Sequence, residues 1–284
     1  MVRLAIVVVI AACRAFDPIA EVPHSHREMP DTQTAIAAIL AENPTPKVYA
    51  IGEYHQSRKA IAKTSPLARF TKEIISLLEP HAKQLVVEAW LDATCDSSRQ
   101  LQHDVAAATG RPASTQMEML RLVDRGKRGG LTMHALPMTC IEHDAVLDAH
   151  GGVDFLLLLE VITDKLHATT RALVDADPDH AVIVYGGALH NDLYPRWPLD
   201  ELSYAQPLAQ ELGGEVLELD LVVPEVVAPM ELVRSEGWFP LLGRAAPGRV
   251  LVWERGPMSY VIILPAQDLE AAKVALPLVA HGST

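Results

Sequence analysis

Short apolar runs alternate with helix-length amphipathic stretches along most of this chain, and glycine or proline closes most of the runs. Lys47 to Ile51 follows Pro44 and Pro46 and stops at Gly52, as a strand does. Leu85 to Val87, Leu131 to Leu136 (stopped by Pro137), Ala181 to Tyr185 and Glu215 to Val223 are further strands. Between them Leu67, Phe70, Ile74, Leu77 and Leu78 form a helical stripe ended by Pro80. Thr115 and Glu118 are spaced as a capping box for a helix to about Arg125, which Gly129 and Gly130 close. Asp154 to Val174 is a long apolar helix, and Pro198 to Leu212 a helix interrupted at Pro207. Strand and helix in alternation predict an α/β fold with a mainly parallel sheet flanked by helices. The tail differs: Arg249 to Glu254 and Ser259 to Leu264, joined by Arg255-Gly256-Pro257-Met258, read as a C-terminal antiparallel hairpin added to that sheet. A last helix is expected over Gln267 to Ala275.

Of the 284 residues 49% are hydrophobic and 21% charged, which suits a globular chain. No Ser/Gly run, charge block or repeat divides it, so a single domain over 47–284 is expected. The net charge of -12 and the lack of a Lys/Arg stripe argue against nucleic acid, whose binders need a basic patch to displace counterions. Residues 1–13 read as an export signal. Met1-Val2-Arg3 is a positive start, and Leu4 to Ile10 is apolar but too short to span a bilayer, which takes about 20 residues. Ile10-Ala11-Ala12-Cys13 resembles the bacterial lipobox, which implies lipidation at Cys13; Arg14 after it resembles lipoproteins sent to the outer membrane, facing the periplasm. The competing reading is a buried first strand with an incidental cysteine. Residues 14–46 are then a tether and lead-in, with His24 and His26 solvated.

In a parallel sheet, ligands bind beyond the carboxyl ends of the strands. Glu53 and His55 follow the first strand, two residues apart and hence on one side of extended chain. Glu88 ends the second, where an unpaired carboxylate would cost several kcal/mol. His190 follows the fourth strand, after Gly186 and Gly187. Two imidazoles and one or two carboxylates are a donor set for a catalytic divalent ion such as Zn, Mn or Co. On this reading His55, Glu88 and His190 are metal ligands, and Glu53 is a fourth ligand or the base that deprotonates bound water. Tyr54, Tyr185 and Asn191 are candidates for hydrogen bonds to a substrate or oxyanion. His134 and His143 flank the third strand end and are further pocket candidates. The chain has no G-x-S-x-G elbow, H-E-x-x-H, G-x-G-x-x-G or P-loop, which leaves serine-hydrolase, zincin, dinucleotide and NTP chemistry without support.

Gly52-x-x-His55 and Gly187-x-x-His190, with Glu88 between them, resemble the paired GxxH motifs of the superfamily joining Tiki proteases, TraB proteins, erythromycin esterases and ChaN-like lipoproteins. The resemblance spans roughly Tyr49 to Asp192. It implies metal-dependent peptidase or ester-hydrolase activity, or, in the ChaN-like branch to which the lipobox draws this chain, haem binding for iron uptake. In the haem reading Tyr54, His55, Tyr194 or His190 would face the iron or haem edge. A third reading is a non-catalytic envelope protein on the same fold. The partners these readings allow are a small-molecule, peptide or haem ligand, the membrane through a lipid anchor, and a homodimer. With Cys13 lipidated, Cys95 and Cys140 remain as an even pair in an oxidising compartment, both in loops at the carboxyl edge, where they are either bridged by a disulfide or left as two unpaired buried thiols.

Overall fold

The computed structural model describes residues 25–267 apart from 59, 61, 91–104, 106–109 and 149. The strands are β1 (His26–Met29), β2 (Val48–Glu53), β3 (Ala82–Trp90), β4 (Thr132–Leu136), β5 (Ala181–Gly187), β6 (Val216–Val222), β7 (Val250–Gly256) and β8 (Ser259–Ile263). They form one eight-stranded sheet in the order β1-β7-β8-β6-β2-β5-β3-β4. From β4 to β8 every pairing is parallel, and β7 runs antiparallel to both β8 and β1. The chain is thus α/β, with a mainly parallel sheet and the expected C-terminal hairpin at one side.

The centre of the sheet explains the unbroken apolar runs. All six residues of β2 and all seven of β5 are buried, because helices cover both faces. Tyr49, Ile51, Ile183, Tyr185 and Leu219 point to one face and pack with Ile36, Phe70 and Ile74. That layer is built by α1 (Thr32–Glu42), by α2 (Pro66–Arg69) continuing through a π-turn (Phe70–Ile74) into α3 (Ile75–Leu78), and by α4 (Ser114–Arg128). Val48, Ala50, Val86, Val182 and Val184 point to the other face. Leu158 and Leu166 of α6 (Phe155–Ala176) and Leu208 of α8 (Ala205–Glu211) cover it. In the chain α5 (Cys140–Ala145) precedes α6, and the single turn α7 (Ala188–Asn191) lies between β5 and α8.

Several sequence expectations are corrected. Part of the expected tether and lead-in belongs to the fold: His26–Met29 is edge strand β1 and Thr32–Glu42 is α1, the two tied by an Arg27–Glu42 ion pair. Four residues reading His-Arg-Glu-Met carry no apolar alternation, so only pairing with β7 makes them a strand. The capping box at Thr115 and Glu118 does not form; α4 begins at Ser114, and Glu118 instead accepts the Ser65 hydroxyl at 2.5 Å. A capping box does open α5, between Thr139 and Glu142. Pro207 causes no kink, because α8 starts at Ala205 and the proline falls in its first turn, where a missing N–H costs nothing. The helix expected over Gln267 to Ala275 lies outside the described residues but for Gln267, as do residues 1–24 with Cys13 and His24.

Candidate active site

The topology places β5 between β2 and β3. Glu53 ends β2 opposite Gly187, the last residue of β5, and Glu88 lies near the end of β3 on the other side. His190 stands on α7, directly after β5. The three strand ends that carry the predicted residues are therefore adjacent, and the glycines between them leave the room. A Cβ on Gly187 would lie 3.2 Å from His55 Nε2 and 3.4 Å from Glu88 Oε2, so both side chains border the space that this glycine leaves open.

Glu53 is 7% exposed and fully engaged. Its Oε1 lies 2.5 Å from His55 Nδ1, and its Oε2 accepts the hydroxyl of the buried Tyr185. Tyr185 is itself braced by stacking on Phe70, the first residue of the π-turn, at 4.7 Å between ring centres. Burial alone would raise the Glu53 pKa, but His55, Arg111 and the Tyr185 hydroxyl outweigh it and hold the carboxyl below its ordinary value. An anionic Glu53 accepts Nδ1–H from His55, which orients the ring and leaves Nε2 with its lone pair towards Gly187. Glu88 follows the same logic. Burial opposes its charge, yet His190, His55, Arg111 and the Gly187 N–H, which donates to Oε2 at 2.6 Å, depress its pKa.

His190 is 2% exposed. Its Nδ1 lies 2.9 Å from the Leu202 carbonyl and 2.9 Å from Thr163 Oγ1. A carbonyl can only accept, so Nδ1 carries the hydrogen and Nε2 is the free nitrogen. Both imidazoles thus have Nδ1 fixed by a protein acceptor, as ligating and basic histidines usually do. The donor types suit a divalent ion, but among the described residues no three His, Cys, Asp or Glu side chains are arranged to hold one as they stand.

The remaining predicted residues are less gathered. Asn191 is fully buried and spent inside the protein, donating to the Gly187 carbonyl at 2.9 Å and accepting from Tyr204 at 2.8 Å. Tyr54 turns to Trp238, 5.3 Å between rings. Tyr194 is 42% exposed and donates to the Pro257 carbonyl. His134 lies within β4 and its Nε2 is 2.7 Å from Gln84 Oε1. His143 is wholly buried in α5, with neither ring nitrogen partnered among the described residues. Cys140 opens α5 rather than a loop and is disulfide-bonded; Cys95, its candidate partner, lies outside the described residues.

Sequence reasoning missed Arg111, whose charge acts on both Glu53 and Glu88. With His55, Gln56 and Ser65, Arg111 and Glu53 line a small polar cleft at the end of β2. Nothing local marks Arg111 or Thr163, since each reaches the site from far along the chain. Glu218 and Asp220 were also missed, although two carboxylates in the apolar run Glu215 to Val223 are the signal that singled out Glu88. Both are buried. Arg255 Nη2 donates to Glu218 at 2.6 and 2.7 Å and to Asp192 at 2.5 Å, while Asp220 Oδ1 has no partner among the described residues.

Fold and site together describe an α/β protein with a Glu/His cluster at the carboxyl ends of adjacent parallel strands. No family model matches the chain, and no curated protein matches it. Among solved structures, the type III effector HopBA1 aligns over 89% of this chain and 100% of its own, at 15% identity and a TM-score of 0.45, a likeness too slight to support any argument.

Proposed function

We propose that this chain is an exported, lipid-anchored hydrolase of peptide or ester bonds. The observation that carries the reading is the 2.5 Å contact between Glu53 Oε1 and His55 Nδ1, which aims His55 Nε2 across the gap at Gly187. In the reaction, His55 Nε2 takes a proton from water as the oxygen attacks the carbonyl carbon. The C–N or C–O bond then breaks, and the same proton passes to the leaving nitrogen or oxygen. Glu53 stabilises the imidazolium between the two transfers, and Tyr185 holds Glu53 in place. Arg111 lines the same cleft as a cation for the developing oxyanion. The small, polar cleft favours this chemistry over haem, which needs a wide apolar slot.

A divalent metal is a second reading, favoured by the fixed Nδ1 atoms of His55 and His190 beside Glu88. If bound by His55, Glu88 and His190, it would supply a Lewis acid and an acidified water. Metal content of protein purified without added metal tests it: this second reading requires a near-stoichiometric divalent ion that both His55→Ala and His190→Ala release, and equal content in all three proteins would end it. For export, the signal-like segment ending at Cys13 is the support, and a disulfide at Cys140 suits an oxidising compartment. Hydrolysis itself is tested with matched amide and ester substrates, where chelator-resistant cleavage abolished by His55→Gln is expected from the His55 mechanism and chelator-sensitive cleavage from the metal reading.

A further inference from the structure

Tryptophan is highly buried on average, as Trp238 is at 1% exposed, yet Trp197 is 85% exposed. It lies in the segment Tyr194-Pro195-Arg196-Trp197-Pro198-Leu199, in which Tyr194 and Leu199 are exposed as well. The Leu199 N–H donates to the Arg196 carbonyl at 2.8 Å and closes a turn with Trp197 and Pro198 in its middle positions. Pro195 and Pro198 fix two of its φ angles. Its foot is fastened: Arg255 donates to Asp192 at 2.5 Å, the Ser203 hydroxyl to the Asp192 carbonyl at 2.5 Å, and the Tyr194 hydroxyl to the Pro257 carbonyl at 2.9 Å. A stiff turn thus carries an uncovered indole at its tip, and little ordering remains for a partner to impose.

The place where the lead-in joins the fold points to the occupant. His26 pairs in register with Trp253, the Trp253 ring abuts Gly237, and Glu236 beside it lies 3.9 Å from Arg196, the neighbour of Trp197. The turn therefore stands on the flank where the chain from Cys13 enters. That chain, from Cys13 to Ser25, reaches roughly 40 Å at full extension, so a lipid on Cys13 holds this flank close to a bilayer and makes a second contact intramolecular. The tip suits the headgroup zone, where tryptophan and tyrosine concentrate because each joins an apolar ring to a polar N–H or O–H. The Arg196 side chain, 65% exposed, is free to meet a phosphate, while the exposed Asp200 and Glu201 that follow leave no cationic patch that would require anionic lipid. A second copy fits less well, since a stable interface takes about 800 Å² from each partner and one turn bounded by charges offers little. We infer that the Trp197 turn inserts into the headgroup region of the bilayer that holds the Cys13 lipid. This rests on the lipid-anchored reading and adds an orientation to it: the segment starts just after His190, so the contact also sets how the site faces the membrane.

Insertion can be read without turnover. The full chain is placed on phosphatidylcholine vesicles, and on vesicles of the same lipid brominated on its acyl chains near the headgroup, and tryptophan emission is compared. Bromine quenches an indole only at close range. We expect brominated lipid to quench the wild-type protein, and Trp197→Phe, which keeps an aromatic ring at an exposed position and so leaves the fold alone, to abolish that loss. No quenching of the wild type, or equal quenching of the two proteins, would overturn the contact. A wild-type dimer that Trp197→Ser dissolves, found without quenching, would give the turn to a second copy and overturn it as well. The contact and the anchor fail separately. Palmitate uptake at Cys13 without quenching removes the contact and leaves the anchor, whereas Trp197-dependent quenching of a chain that takes up no palmitate removes the anchor and leaves the contact.

Discussion

At the scale of single residues, charge is held in opposite ways at two places. Glu53, buried, and Glu88, half-buried, are kept anionic by His55, His190 and Arg111. Their folded pKa values are depressed, so the stability they contribute is present above the unfolded carboxylate value and is lost as pH falls through the folded ones. Asp220 is the reverse: burial first, then the charge of Glu218, push its carboxyl well above 3.8. In the folded state it holds a proton that the unfolded chain has released, so its contribution falls as pH rises from about 3.8 towards its own raised pKa. Asp220→Asn removes that slope. We expect urea unfolding to show the variant gaining on the wild type as pH rises above about 3.8, and parallel stability curves would show that Asp220 is ionised when folded. Glu53→Gln should leave His55 beside a neutral amide in place of the carboxylate that stabilises its imidazolium, and cut turnover by ~10²–10⁴ at unchanged fold by circular dichroism.

Among the elements, the glycines at the ends of β2 and β5 do different jobs. A Cβ on Gly52 would stand 2.1 Å from Asp220 Oδ1 and 2.9 Å from the Ala188 backbone, so Gly52→Ala must displace α7 and should cost ~1–3 kcal/mol of stability. At Gly187 the nearest atoms are the ends of His55 and Glu88, at 3.2 and 3.4 Å, which can yield. Gly187→Ala should lose less stability than Gly52→Ala but misplace the reacting groups, for which a shift of about 1 Å costs ~10²-fold in rate. Thermal unfolding and kcat measured on both variants separate the two; equal loss of stability would contradict the distinction. Elements buried on both faces, such as β5, were legible because burial leaves a continuous apolar run. The short polar β1 was not, because its strand state comes from pairing with β7 alone. The same limit applied to the site. Glu53, His55, Glu88 and His190 were legible from strand ends and glycines, whereas Arg111 and Thr163 acquire their places only through long-range packing.

For the whole molecule, one sheet gathers residues from 26 to 263, and among the described residues no helix is long and apolar enough to cross a membrane. Attachment is proposed through Cys13 on the lipobox-like Ile10-Ala11-Ala12-Cys13 alone, and palmitate labelling in a Gram-negative host should be lost in Cys13→Ser; equal labelling of both proteins would dismiss the anchor. The central claim is that His55, oriented by Glu53, hydrolyses a carbonyl bond at the strand-end cleft. Steady-state cleavage of matched amide and ester substrates by wild-type protein and His55→Gln measures it most directly. We expect the wild type to turn over, and His55→Gln to lower kcat by at least ~10²-fold with thermal unfolding unchanged. Equal rates in the two proteins, or no cleavage of either bond by the wild type, would contradict it.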